Sequence, residues 1–575
     1  LQNSYLGKIK MIYIDPPYNT GKDFVYKDNY KDNLENYLEQ TNTTGAVNSE
    51  ASGRFHTNWL NMIYPRLRLA RNLLTDDGVI FISIGQQEIN NILSVCNELF
   101  GEDNQIGVVS RIMKSGSAQG DYFSPNVEYI LVYAKNELFL NKFKQPLTDE
   151  IIKKLYTSIE KTGKRKGEKY RPFGLYQSSL DPLRGCSNQR YYIEAPDGTL
   201  LIPPGNAMPK ERINGAMVAP QSSKDKVWRW SRNRFLEEVA LGNIEFKESD
   251  GVLIDSNGCP ANWNVYSKIW LKDRQEEGMT PVDLITKWEN RISKKELQDI
   301  DIPFDFAKPS ELIKYLISII GAPTDSIFLD FFSGSATTAH AVMQLNAEDG
   351  GNRKYICVQL PEQTPEDSEA HKFLTELGKP TAIPEIAKER IRRAGKKIAE
   401  EQSFNKIKDA VDAGLFGAEQ KEFAKLDIGF KVFKLDRSNV KNWDLELNGA
   451  TEKEAAEQIA MALNNSVEIL KADRTESDLL YEVMLKLGLK LSDPIEEVEI
   501  DGHRIFVVGY GLMVVTFAKD MSYEQISKML DLRADFISKS EFKVVIADQS
   551  FATDNDKTNA LQLFKQKGVT NFEII

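Results

Sequence analysis

At 575 residues, with 41% hydrophobic and 27% charged residues, the chain has the composition of an ordinary globular protein too long for one core, and three to four domains are expected. Its apolar runs fall well short of the ~18 residues of a membrane span. Its four cysteines and four histidines are dispersed without a CxxC pair, which suggests neither a disulfide framework nor a zinc site and points to a reducing setting. The net charge of −11 speaks against a wholly basic nucleic-acid binder, yet Ile151 to Ala240 holds 17 Lys and Arg against 9 Asp and Glu. A basic insert in an acidic chain is what a phosphate-contacting module looks like, although a stretch such as Lys161 to Lys169 taken alone reads as a solvated charge run.

In chain order, the polar start Leu1-Gln2-Asn3 shows no signal peptide and no initiator Met. Residues 8–14 read as a buried strand that empties into Asp15-Pro16-Pro17-Tyr18. The prolines fix φ and lack N–H groups, so their carbonyls sit at a stiff strand end, free to accept hydrogen bonds. Asp15 adds a carboxylate and Tyr18 a flat ring, a set suited to a planar heterocycle bearing an exocyclic amine; the plain alternative is a Pro-rich turn. Trp59 to Leu74 reads as a helix, Val79 to Ile84 as a strand, Glu88 to Phe100 as a helix stopped by Gly101, and Asn126 to Ala134 as a strand, an alternation that predicts a parallel α/β sheet.

From about 140 to 300 the pattern breaks into turns rich in Pro, Gly, Asn, Trp and Tyr. There Trp228-Arg229-Trp230-Ser231-Arg232-Asn233-Arg234 and Arg184 to Tyr192 interleave cations and aromatics. Arg184, Arg190, Arg229, Arg232 and Arg234 are candidate DNA contacts, and a core of tryptophans under a solvated face is the alternative. Alternation then returns with helix Glu311 to Ile320 (Ser310 as N-cap), strand Ser326 to Asp330, helix Ala336 to Leu345, strand Lys354 to Leu360 and helix Glu385 to Glu401. Asp330-Phe331-Phe332-Ser333-Gly334-Ser335 forms a strand end and small-residue loop opening a helix, where backbone approaches a ligand closely. Glu362, past the next strand, stands where an acidic side chain can bond ribose hydroxyls. Beyond Gln402 a separate, acidic α+β region follows, with strands Arg504 to Tyr510, Leu512 to Ala518 and Phe542 to Ala547.

Asp15-Pro16-Pro17-Tyr18-Asn19-Thr20-Gly21, the Asp330 to Ser335 loop and Asp556-Lys557-Thr558-Asn559-Ala560, in this order, resemble the modification subunits of type III restriction–modification systems over nearly the whole chain. These are adenine-specific DNA amino-methyltransferases in permuted motif order. The resemblance implies a Rossmann-like α/β sheet using S-adenosylmethionine. Residues 1–139 would form its catalytic half, 140–300 an inserted target-recognition domain, 301–401 its cofactor half, and 402–575 an α+β domain for dimerisation and docking of a nuclease-helicase subunit. Asp15 and the Pro16 carbonyl, with Pro17 beside them, would accept from the 6-amino group of adenine while Tyr18 stacks on the base. Asp330, Phe331, Phe332, Ser333, Gly334 and Ser335 would form the cofactor pocket, Glu362 would take the ribose, and Lys308 and Pro309 would lie near the methionine end.

The loop departs from the family's Phe-x-Gly-x-Gly at Ala336, so a close backbone approach is not expected there. A Gly-Asp-Asn-like turn ahead of the catalytic strand is missing, and part of the pocket is expected to be missing with it. The setting implied is bacterial, cytoplasmic and DNA-associated, with duplex DNA as substrate, a homodimer, and no metal required. The residues alone leave open methylation of the cytosine 4-amino group or a specificity module that no longer methylates.

Overall fold

The computed structural model describes residues 1–20, 55–116, 122–147, 149–183, 187–249, 251–412, 426–436, 438–439, 474–534, 537–538 and 541–575. The chain divides into two compact units, one of residues 1–140, 284–313 and 323–575, the other of residues 141–283 and 314–322.

The first unit is built on a seven-stranded sheet. Its strands are β1 (Ile9–Ile14), β2 (Leu74–Ile84), β3 (Gln105–Ile112), β4 (Val127–Ala134), β5 (Leu284–Ile285), β6 (Ile327–Asp330) and β7 (Lys354–Cys357), in the spatial order β5-β3-β4-β2-β1-β6-β7. β1 pairs parallel with both β2 and β6, with Ile12 facing Ile80 and Leu329, and every residue of β1 is buried. Strands sandwiched between helices on both faces are recognisable as continuous apolar runs, and β1 and β6 have that form. Lys10, the exception in β1, is buried at 7% exposure and donates to Asp77 Oδ2 at 2.6 Å. Helices Phe55–Leu73 and Ile89–Phe100 cover one face through Trp59, Ile63, Leu67, Ile92 and Cys96. Thr337–Asp349 and Ile383–Asp412 pack together through Ala339, Met343, Ile391 and Ala394.

The sheet is mixed, not parallel as expected. β4 runs antiparallel to both β2 and β3. The sequence pattern misses β3 because it is half-buried along most of its length and carries Ser110 and Arg111 instead of an unbroken apolar run. The expected end of the insert also moves, from 300 to 283, because β5 pairs with Ser110 and Arg111 of β3 and brings the following chain into the first unit.

The region after Gln402, expected to stand apart, has its own five-stranded sheet but belongs to the first unit. The order is Ile495–Ile500, His503–Val508, Met513–Thr516, Lys543–Ile546 and Asn571–Ile574, the first two pairings antiparallel and the last two parallel. Tyr5, 3% exposed, accepts a bond from the Leu491 N–H at 3.0 Å and so ties this part to the N-terminal helix Gln2–Tyr5. Asp556 to Ala560 lie in helix Asp554–Lys567, capped by Thr553 accepting from the Asp556 N–H.

The second unit holds a four-stranded antiparallel sheet, in the order Ser158–Ile159, Lys169–Gly174, Trp263–Trp270 and Ile244–Glu248. Its core gathers Leu175, Tyr191, Trp228, Trp230, Phe235 and Val265. Among the described residues no helix is long and apolar enough to cross a membrane.

Candidate functional site

β1 and β6 lie side by side where the strand order turns from one direction to the other, and their carboxyl ends carry Asp15 and Asp330. Open α/β sheets bind ligands at that crevice because flanking loops diverge there. Asp15 follows β1 directly, and its two oxygens accept from Lys308 Nζ at 2.7 and 2.6 Å. Pro17's carbonyl is taken by Trp59 Nε1 at 2.7 Å. No hydrogen bond reaches the Pro16 carbonyl among the described residues. Tyr18 lies with its ring against Gly85, where a Cβ would come within 3.0 Å of Tyr18 Cδ2. The Tyr18 hydroxyl donates to Glu128 Oε2 at 2.9 Å and accepts from Lys308 at 3.1 Å.

Glu128 comes from β4 and is 1% exposed. Its other oxygen accepts from Arg111 Nη1 of β3 at 2.5 Å, and Arg111 is fastened to the Trp288 carbonyl at 2.5 Å and Asn290 Oδ1 at 2.9 Å. A second buried carboxylate, Glu88, holds the loop beyond Tyr18 by accepting from Asn19 Nδ2 at 2.5 Å and Asn91 Nδ2 at 2.6 Å, with His56 Nδ1 2.7 Å away. Asn19 adopts φ 57°, a left-handed conformation its short amide tolerates.

The charges explain one another. Burial raises the pKa of Asp15 above the usual carboxylate range, Lys308 pulls it back, and Glu128 adds to the rise. Burial acts likewise on Glu128, but Lys308 and Arg111 outweigh it and the net direction is down. Two carboxylates and two cations thus share one apolar crevice in balance, the condition under which buried charges persist.

Around β6, Asp330 Oδ1 accepts from the Phe332 N–H at 3.1 Å and Oδ2 from Thr338 Oγ1 at 2.7 Å, while burial pushes its pKa up to about 7. Gly334 has φ +49°, and its N–H donates to Gln359 Oε1 at 2.8 Å. Ala336 also lies in the left-handed region, at φ 64° and ψ 47°. The backbone turn that a glycine would give is therefore kept, at about 1–2 kcal/mol of conformational cost, with the methyl buried among the helices behind. Arg390, wholly buried, donates to Ser335 Oγ at 2.7 Å and Thr337 Oγ1 at 2.8 Å and lies 3.7 Å from Glu296. Glu296 also accepts from the Ser310 N–H at 3.1 Å, tying down the first turn of helix Ser310–Ile319. A cavity of about 270 Å³ lined by Glu296, His340 and Lys397 lies behind this loop, away from the Asp15 cluster.

Residues 9–369 match a protein-family model described as DNA methylase. The chain belongs to the DNA methylase family. This methylase is 29% identical to the EcoP15I Mod subunit of Escherichia coli, a type III restriction-modification enzyme, across all of this chain and 82% of that one. It is 34% identical to the StyLTI Mod subunit of Salmonella typhimurium and 32% identical to the EcoPI Mod subunit of Escherichia phage P1. Those two alignments each cover 69% of the methylase and span 55% and 60% of the relatives. Among solved structures, the cytosine-N4-specific PvuII DNA methyltransferase aligns with 68% of the methylase and 89% of its own chain, at 10% identity and a TM-score of 0.29.

The expected site residues fall into three groups. Asp15, Pro16, Pro17 and Tyr18 converge with Lys308, whose ammonium bonds go to Asp15 and Tyr18. Asp330 to Ser335 form the neighbouring loop, but Phe332 is packed into the core and the Ser335 hydroxyl is spent on Arg390. Glu362 is half-buried, its pKa is raised by burial, and no bond to its carboxylate occurs among the described residues. A turn of positive φ with a free acidic side chain near it fits a nucleoside with a ribose diol, so the residues present suit S-adenosylmethionine.

The DNA-contact set needs correction. Arg190 is fully buried, with Nε on the Ala207 carbonyl at 2.7 Å and Nη1 on those of Pro203 and Lys226 at 2.7 and 2.6 Å, so it organises the second unit and cannot meet DNA. Trp228 and Trp230 are core residues. Arg229 stacks on Phe173 at 4.3 Å, Arg232 packs over Gly215, and Arg234 is the most exposed of these three, 4.8 Å above Trp230. Arg184 and Gly21 lie outside the described residues. Sequence reasoning missed Glu128, Arg111, Glu88 and Trp59. A Glu and an Arg set inside apolar strands were the available signal, since charges seldom enter a sheet unpaired.

Proposed function

We propose that this methylase transfers a methyl group from S-adenosylmethionine to the 6-amino group of adenine in duplex DNA, as the modification and specificity subunit of a type III restriction–modification enzyme. The reading rests on one juxtaposition above all: the Asp15 carboxylate and the free Pro16 carbonyl, two acceptors on one stiff strand end, beside the fixed Tyr18 ring.

Adenine's exocyclic nitrogen is a poor nucleophile because its lone pair is shared with the ring. Accepting both N–H groups at Asp15 and the Pro16 carbonyl favours a pyramidal nitrogen with its lone pair released. Positioning and electrostatics then carry the catalysis. The cofactor, when bound, supplies an electrophilic sulfonium methyl. Asp15, with its pKa raised by burial, is the nearest base for the proton the nitrogen sheds. A base inside a duplex must first leave the stack at a cost of a few kcal/mol, and stacking on Tyr18 returns about 1–3 kcal/mol.

The Mod names of the relatives support a restriction subunit and DNA as partners, and a homodimer through the C-terminal region and a cytoplasmic, DNA-associated setting are further parts of the same proposal. The basic second unit, through Arg229, Arg232 and Arg234, would supply contacts to the target duplex. Transfer of tritiated methyl to unmethylated duplex DNA tests the reading. Asp15→Ala and Tyr18→Ala should fold normally by circular dichroism and lose at least about a hundredfold in rate, and full activity in both would refute the assignment.

A further inference from the structure

Lys308 sits where the substrate has to go. The segment Ala307-Lys308-Pro309 leads directly into helix Ser310–Ile319, whose first N–H is anchored on Glu296, so the Lys308 backbone is fixed and only its side chain is free to adjust. That side chain is 9% exposed, and its donors meet both oxygens of Asp15 and the Tyr18 hydroxyl. An ammonium bonded this way has the same nitrogen-to-carboxylate geometry as an amine donating N–H to Asp15. Each Asp15 oxygen already accepts from Lys308, so an arriving amine must either share that carboxylate with the ammonium or displace it.

A second acceptor lies within reach. Glu128 Oε2 is 3.7 Å from Lys308 Nζ, just beyond hydrogen-bond range, while Arg111 holds the other Glu128 oxygen. A shift of about an ångström would bring the ammonium into hydrogen-bond range of the second carboxylate. Glu128 is buried and Asp15 half-buried, and Arg111 stays in place, so the crevice keeps its charge balance throughout. Complete removal of the ammonium would instead leave two carboxylates facing each other in low dielectric, a costly arrangement.

We propose that Lys308 is a positioning residue that holds the amine berth on Asp15 in the empty site and passes to Glu128 when the base arrives. This rests on the adenine-methylating reading above and goes beyond it: Lys308 keeps Asp15 ionised, hence an acceptor, and returns to it as the product leaves. Other charged and titratable groups near Asp15 are Tyr13 and Tyr18 on its own segment, Arg111 and Glu128 from β3 and β4, and Asp330 at the end of β6. With Lys308 gone, burial and Glu128 would both favour the protonated form of Asp15.

The test is Lys308→Met in the full chain, with unmethylated duplex DNA as methyl acceptor. Calorimetric affinity for S-adenosylmethionine should stay within about threefold of the parent. The acid limb of the single-turnover pH profile should move up by about one unit or more, the rate falling about tenfold per pH unit below it. At pH 9, with the competitor for Asp15 removed, KM for DNA should be no higher than in the parent. Lys308→Gln, shorter and still polar, should behave the same way and serves if the Met variant folds poorly. Loss of cofactor binding, or an unmoved pH profile, would overturn the proposal. Asp15→Ala run in parallel separates the two claims: an inactive Asp15→Ala with a parental profile for the Lys308 variants refutes only the role of Lys308, and an active Asp15→Ala refutes the methylation reading itself.

Discussion

Individual charged side chains decide much of this protein, and each does so through a partner remote in sequence. Asp330 has a pKa of about 7 against 3.8 for an ordinary aspartate, the rise coming first from burial. A raised folded-state pKa means that the native protein holds the proton more tightly than the unfolded chain. This contribution is therefore present below pH 4 and lost as the pH rises through 7. Asp330→Asn keeps the bonds to Phe332 and Thr338 possible and removes the titration, so chemical denaturation at pH 5 to 8 should show a flatter stability profile than the parent; an equal slope would contradict the assigned ionisation. Arg190 shows where reading residues alone misleads. Arginine among tyrosines resembles a DNA contact, and nothing local reveals that four backbone carbonyls close around it. Arg190→Ala should cost about 3 kcal/mol or more of stability, measured by denaturant melts of the full chain. A silent effect on stability coupled to weaker DNA binding would restore the discarded assignment.

At the scale of elements, legibility followed burial. β1 is apolar but for Lys10 and β6 but for its last residue, Asp330, and the chain leaving them carries Asp15 to Tyr18 and Asp330 to Ser335, so both halves of the candidate site were visible as motifs. The reversed strand β4 was visible as a strand, but its direction was not, because direction is set by its pairing with the half-buried β3. Lys308 likewise could be noticed beside Pro309, yet its bond to Asp15 joins residues 293 apart and is a property of the fold. The loop after β6 is shaped by what lies behind it: Arg390 grips Ser335 and Thr337, and Ala336 accepts a left-handed backbone. A Cβ added at Gly334 would lie in ordinary van der Waals contact with the Phe304 ring, at 3.7 Å. Gly334→Trp should block the pocket and lower S-adenosylmethionine affinity by about a hundredfold or more, in part through its positive φ. Unchanged calorimetric affinity would take this loop out of the site.

At the scale of the whole molecule, the chain combines a family-defining sheet, a basic second unit and a C-terminal sheet tied to the N-terminal helix by Tyr5. Tyr5→Phe removes the acceptor for the half-buried Leu491 N–H and should destabilise the protein by about 1 kcal/mol without altering methyl transfer; a matching loss of catalysis would mean that this junction shapes the site. The central claim, however, concerns what the Asp15 clamp holds. It is tested most directly by mass spectrometry of nucleosides from duplex DNA incubated with the full chain and S-adenosylmethionine. The account predicts N6-methyldeoxyadenosine, absent when Asp15→Ala replaces the parent. N4-methyldeoxycytidine as the sole product, or N6-methyldeoxyadenosine formed equally well by Asp15→Ala, would contradict it.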